Sequence, residues 1–159
     1  MEKIEILRIE SLSREPLVVE GYFFKGTNPK APKIAIIGAM GGDSILPLYC
    51  ASTLVDFFNN KVKKEKIKGD IFIIPSINHY ALNIGKRYWP LDNTDINMMF
   101  PGYEEGETTQ RIAKKVFDTI NGYDYGNGGI TIDFGVSSDA FAFTKSGFFI
   151  EFDKITGVY

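Results

Sequence analysis

Three stretches of this 159-residue chain hold side chains suited to chemistry. The first is a glycine-rich turn, Gly38-Ala39-Met40-Gly41-Gly42-Asp43-Ser44, which follows an apolar run. A glycine turn before a helix loosely imitates a phosphate cradle. This one is neither Gly-x-Gly-x-x-Gly nor a Walker loop, and its glycines serve a tight turn equally well. A small-anion or nucleotide-binding module using this turn and Arg87 is therefore one reading. The second stretch is residues 76–106, rich in Asn, Asp, Gly and Pro, which holds Arg87, Trp89, Asp95 and Asn97. So long a loop in a compact domain is usually functional. The third is Lys61-Val62-Lys63-Lys64-Glu65-Lys66-Ile67-Lys68, whose plain reading is a solvated helix end, where cations suit the helix dipole.

Donors for metal or redox chemistry are few, with one cysteine, Cys50, and one histidine, His79. A lone cysteine excludes an intrachain disulfide. His79 reads as a polar loop residue. Asp43 reads most simply as a helix N-cap, and Met40 and Met98 as filler of pocket or core. Asn97 fits a hydrogen bond to its own loop, and Arg87 fits an ion pair with Asp92 or Asp95.

The elements that must position these residues follow from periodicity. Residues 3–10 and 16–25 read as strands, the second rich in β-branched and aromatic residues. Lys33 to Ile37 and Ile71 to Ile74 are short apolar runs suited to strands buried on both faces. A helix starting at Asp43 or Ser44, with Pro47 in its first turn, is expected to reach about Asn60. Its stripe would be Leu46, Tyr49, Cys50, Thr53, Leu54, Phe57 and Phe58. Glu107 to Ile120 forms a second helix, with Ile112, Ala113, Val116, Phe117 and Ile120 on one face. Gly129 to Phe134 is a further core strand, and Phe148 to Phe152 another candidate. This order predicts an α/β fold, a mixed and largely parallel central sheet flanked by helices. Ligands in such sheets gather at the carboxyl ends of strands, which here means residues 38–44, 76–102 and 133–139.

Composition is that of a globular protein, 44% apolar and 24% charged, with a net charge of −2. Disorder, collagen and coiled coil are excluded as whole-chain answers. No stretch approaches the roughly 18 apolar residues of a membrane span. The start lacks the shape of a signal peptide, so a cytoplasmic location is expected. The charge balance argues against nucleic acid as a partner, and no membrane partner is expected.

Several motifs in order resemble the succinylglutamate desuccinylase/aspartoacylase branch of the zinc carboxypeptidases. Ile36 to Asp43 falls where the family has an apolar strand followed by Gly-x-His-Gly-x-Glu. Lys68 to Asn78 resembles its second core strand, ending Pro-x-x-Asn. Arg87-Tyr88 and Asp95-Ile96-Asn97-Met98-Met99-Phe100-Pro101-Gly102 fall on Arg-Tyr and on Asp-Leu-Asn-Arg-x-Phe-Pro-Gly. Thr108 to Ala113 falls on the start of its next helix, and Ile132-Asp133-Phe134-Gly135 on the strand ending Asp-Leu-His.

The resemblance implies metal-assisted amide hydrolysis, with zinc held by His, Glu and His. Position by position, Met40 and Gly135 replace the two histidines, and Asp43 replaces the glutamate. Met98 replaces an arginine that grips the substrate carboxylate. Arg87, at the oxyanion position, and Asn97, beside the carboxylate site, are kept. Glu151 is a weak candidate for the general base, since it lies only 16 residues after Gly135 (151 − 135 = 16). A His₂Glu site needs two histidines and the sequence has one.

No bound metal is therefore expected. The expectation is a single truncated domain over residues 1–159, a zinc-carboxypeptidase-like core without the family's C-terminal lobe. Its role would be binding or assembly, as a homo-oligomer or beneath a partner chain, with a small carboxylate as possible ligand. The alternative is a zinc-dependent hydrolase of N-acyl amino acids completed by a partner chain.

Overall fold

The computed structural model describes residues 1–12, 15–43 and 45–124. Strands β1 (Glu2–Ile9) and β2 (Leu17–Phe24) pair antiparallel. After β3 (Ile34–Ala39), helix α1 (Ile45–Asp56) crosses to β4 (Ile71–Ser76), which returns parallel to β3. The sheet order is β1-β2-β4-β3, with β2 and β4 antiparallel. The sheet is thus mixed, and one of its three described pairings is parallel. A one-turn helix α2 (His79–Leu82) and the longer α3 (Thr108–Ile120) complete the α-helices among the described residues.

Alternation within β3 and β4 builds two cores. Ala35, Ile37, Phe72 and Ile74 join Ile112, Val116 and Ile120 of α3, with Trp89 and Ile96, on one face. Ile34, Ile36, Ile71 and Ile73 join Ala51 and Phe58 on the other. A period-2 strand sends successive residues to opposite faces, so a continuous apolar run fits a sheet with helices on both sides. Helix α3 starts at a capping box: Glu107 accepts from the Gln110 backbone, and Gln110 Oε1 accepts from Glu107 N at 3.1 Å. Two orphan donors of the first turn are satisfied this way.

Three expectations change. The regular helix α1 ends at Asp56, and Phe57–Lys61 is a wider π-turn closed by Val62 N donating to Phe57 O at 3.2 Å. Lys61 of the basic run therefore closes the π-turn, and Lys64–Lys66 forms a separate 3₁₀ turn. The packed face of α1 is not the expected stripe either. Pro47 and Ala51 are buried and Leu54 and Val55 partly so, while Leu46, Tyr49 and Thr53 are exposed. Pro47, Ala51, Leu54, Val55 and Phe58 share the 3.6-residue period, and that set meets the sheet. Finally, β4 runs on through Pro75 to Ser76. The expected strands at Gly129–Phe134 and Phe148–Phe152 lie outside the described residues.

At the other ends of these strands, the buried Asp70 ties two loops together. Its carboxylate accepts from Gly26 N at 2.9 Å and meets Lys25 Nζ at 3.2 Å and Lys33 Nζ at 3.8 Å. Burial alone would raise this carboxyl; the Gly26 bond and the two lysines outweigh it and hold it below its ordinary 3.8. A depressed folded value stabilises the fold above the unfolded value and is lost as pH falls through the folded one. The stability difference between wild type and Asp70→Asn is therefore expected to be full at pH 7 and to shrink below about pH 4. Thermal unfolding against pH reads it; a difference constant down to pH 2 would refute the coupling.

Candidate functional site

The carboxyl ends of the parallel pair β3 and β4 are tied by Ile77 N donating to Ala39 O at 3.1 Å. From this edge β3 passes into Met40-Gly41-Gly42-Asp43, and β4 passes through Asn78 into α2. The two segments touch at glycine. A Cβ on Gly42 would lie 2.0 Å from the Ala81 carbonyl carbon, and one on Gly41 would lie 2.7 Å from Asp43 Oδ1 and 3.6 Å from Arg87 Cγ. Gly42 N also donates to Arg87 O at 3.4 Å. The glycines are there because α2 and the Arg87 loop leave no room for side chains.

Arg87 is partly buried, and its Nη2 stands 3.7 Å from Asp95 Oδ2. Its guanidinium carbon lies 5.7 Å from the Tyr88 ring centre. Asp95 also accepts from Asn97 N at 3.0 Å, which starts the 3₁₀ turn Ile96–Met99. Behind this loop Trp89 is 1% exposed and stacks on Tyr80, with ring centres 5.4 Å apart. Tyr80 donates its hydroxyl to Glu15 O at 3.2 Å, pinning the loop to the β1–β2 connection.

Asn78 caps α2, accepting from Ala81 N at 3.3 Å through Oδ1. Its Nδ2 is buried without a hydrogen-bond partner. An unpaired buried donor costs free energy, on the order of 1–3 kcal/mol, and such groups concentrate where function constrains a fold. Its sequence signal was the Pro-x-x-Asn motif that closes the second core strand.

The structure thus brings Met40, Asp43, Arg87, Asp95 and Asn97 to one edge, as the strand order required. Met40 packs partly against the core, whereas Met98 is 70% exposed. Asp43 lies in the turn before α1, two residues ahead of Ile45. His79 opens α2, edge-on to Tyr80 at 5.1 Å. Burial lowers its pKa, partly offset by Glu20, so it is mostly neutral at pH 7. Gly135 and Glu151 lie outside the described residues.

A thioether at Met40 is a poor ligand for Zn²⁺, and Gly135 has no side chain to offer. Among the described residues, no three His, Cys, Asp or Glu side chains converge as a metal site.

Solved structures with this architecture set the class. An aspartoacylase family protein from Mesorhizobium loti superposes with a TM-score of 0.61 at 24% identity, covering 74% of this chain and 35% of that one. A succinylglutamate desuccinylase/aspartoacylase from Rhodobacter sphaeroides gives 0.55 at 26%, covering 65% and 32%. The product-bound ectoine utilization protein EutE (DoeB) from Ruegeria pomeroyi gives 0.57 at 24%, covering 70% and 34%. The fold is that of zinc-carboxypeptidase-like α/β proteins.

The sequence profile of the succinylglutamate desuccinylase/aspartoacylase catalytic domain matches residues 30–126, and the chain belongs to that family. A curated relative, N-alpha-acetyl-L-2,4-diaminobutyric acid deacetylase from Halomonas elongata, is 29% identical over 84 residues. The match covers 53% of this chain and 23% of the relative, so the chain spans about a quarter of that protein's length.

Proposed function

We propose that this chain acts by binding or assembly and does not carry out the zinc-dependent hydrolysis of its family. One observation carries the reading: a His₂Glu zinc site needs two histidines, and the sole histidine of the sequence opens α2, while the resemblance sets Met40 and Gly135 at the two histidine positions. The kept Arg87, paired with Asp95 at the sheet edge, is the group that would meet a small carboxylate ligand. An incoming carboxylate would compete with Asp95 for the guanidinium.

Metal content is the first test. After dialysis against trace zinc, elemental mass spectrometry is expected to find well under about one zinc per chain. Hydrolysis of N-acyl amino acids is expected to stay at background and to ignore chelator. About one zinc per chain, or chelator-sensitive hydrolysis, overturns the proposal.

A second reading is an acyl-amino-acid hydrolase completed by a partner chain. Retention of Arg87, Asn97 and Asp43 at one edge favours it. Zinc and activity that appear only in an oligomer or a copurified complex would select this reading over the first.

A further inference from the structure

The edge of the sheet opposite the candidate site is a built cationic surface, and we propose that it docks the protein on an anionic lipid bilayer. Two loops form it, residues 25–33 and 61–70. Thr27 N donates to Ile67 O and Asn28 N to Lys68 O, both at 2.9 Å, and Thr27 Oγ1 donates to Ile67 O at 3.0 Å. Gly69 fits against Pro32, where a Cβ would lie 1.8 Å from the Pro32 carbonyl oxygen. The loops are therefore one rigid unit, although about 30 residues separate them in sequence.

This unit holds eight of the chain's lysines against two carboxylates, Glu65 and Asp70. Asp124 reaches its margin, accepting from Lys33 N at 2.9 Å. Lys25 and Lys33 are held by Asp70. The other six, Lys30, Lys61, Lys63, Lys64, Lys66 and Lys68, are exposed, and no ion pair to any of them is found among the described residues. The net charge of −2 conceals this asymmetry.

Distance lets the edge act alone. Six-residue strands put the Arg87 edge about 20 Å away, roughly two Debye lengths at physiological salt. Glu2, opposite Phe23, and Asp56, bonded to Asn60, also lie toward the lysine edge, where the eight lysines still outnumber the carboxylates. Membrane is favoured over nucleic acid by residue type. All four arginines lie elsewhere in the sequence, at Arg8, Arg14, Arg87 and Arg111. Lysine is a point charge without the guanidinium fork that grips individual phosphates, and lysine clusters of this size suit anionic headgroups. Phe57, 37% exposed at the start of the π-turn, supplies an aromatic ring at the rim. Docking this way leaves the Arg87 edge facing water.

The full-length chain would be sedimented with phosphatidylglycerol/phosphatidylcholine vesicles and with phosphatidylcholine alone. Binding is expected only to the anionic vesicles, and is expected to disappear in about 1 M salt, where the Debye length is about 3 Å. The triple variant K63Q/K64Q/K66Q should weaken it about 100-fold, roughly fivefold per lysine. The matched variant R8Q/K86Q/R111Q removes the same charge at the other end of the fold, where Arg8 pairs with Val18 on β2 and Lys86 adjoins Arg87, and should weaken it less than about threefold. Equal loss in both variants would show a net-charge effect and overturn the proposal. So would no binding to anionic vesicles at low salt, or tighter binding to duplex DNA at equal phosphate concentration.

Discussion

Phe72→Ala is expected to destabilise the protein by about 3–5 kcal/mol, as for other buried aromatic truncations. That is a large share of the roughly 5–15 kcal/mol that holds a domain together. The ring is 1% exposed and sits in β4, the strand between β2 and β3. It lies over Gly21 of β2, where a Cβ would come 2.4 Å from Phe72 Cζ. It also stacks on Tyr123 beyond α3, with centres 6.1 Å apart and planes 26° apart. No other side chain can fill this space, because Gly21 has none. Urea unfolding should show the loss as a lower midpoint at unchanged slope. Burial, helped by Asp70, pushes the Tyr123 hydroxyl up to about 12. Removing the ring above it should move that titration toward 10. A stability loss under about 1 kcal/mol would mean that the β2–β4 contact is not built as described.

Gly42→Ala is the second large effect, and it couples fold to site. The added methyl would meet the backbone of α2, 2.0 Å from the Ala81 carbonyl carbon and 2.4 Å from Leu82 N. Backbone cannot rotate aside as a side chain can, so overpacking should cost at least about 1–3 kcal/mol. Relief requires the 40–43 turn to part from α2, carrying the Gly42–Arg87 hydrogen bond with it. Binding of small carboxylates at Arg87 should therefore fall together with stability. Gly122→Ala is the control, since nothing lies within 4 Å of its Cβ. It should be neutral or stabilising by up to about 1 kcal/mol. Equal stability losses in the two variants would refute the close approach.

What could be read in advance depended on how local each signal was. The periodic Ile112, Ala113, Val116 and Ile120 fixed α3 to within one residue, because its apolar residues fall on a single stripe. The continuous runs of β3 and β4 declared a sheet covered on both faces. In α1 the stripe was misplaced because its outer face is also apolar, with Ile45, Leu46 and Tyr49 exposed, so more than one set fits a 3.6 period. Helix α2 and the 3₁₀ turn at Ile96–Met99 are single turns, too short to show a period. At the site, charge and spacing offered Asp92 or Asp95 as partner of Arg87, and the structure places Asp95 there. The orphaned Nδ2 of Asn78 and the glycine contact with Ala81 were not, since both depend on packing between segments about 40 residues apart. The lysine edge escaped for the same reason, as only hydrogen bonds made after folding join its two halves.

The buried stack of Trp89 on Tyr80 has an optical consequence. Trp89 is the only tryptophan in the sequence, so the whole indole emission of the protein comes from one site. That site is shielded from water and stands two residues from Arg87. Fluorescence excited at the red edge of the indole band, where the eight tyrosines absorb little, therefore watches the Arg87 loop directly and with no label. A ligand that draws Arg87 from Asp95, or a variant that frees the loop from Glu15, would register as a change in the colour or lifetime of a single chromophore.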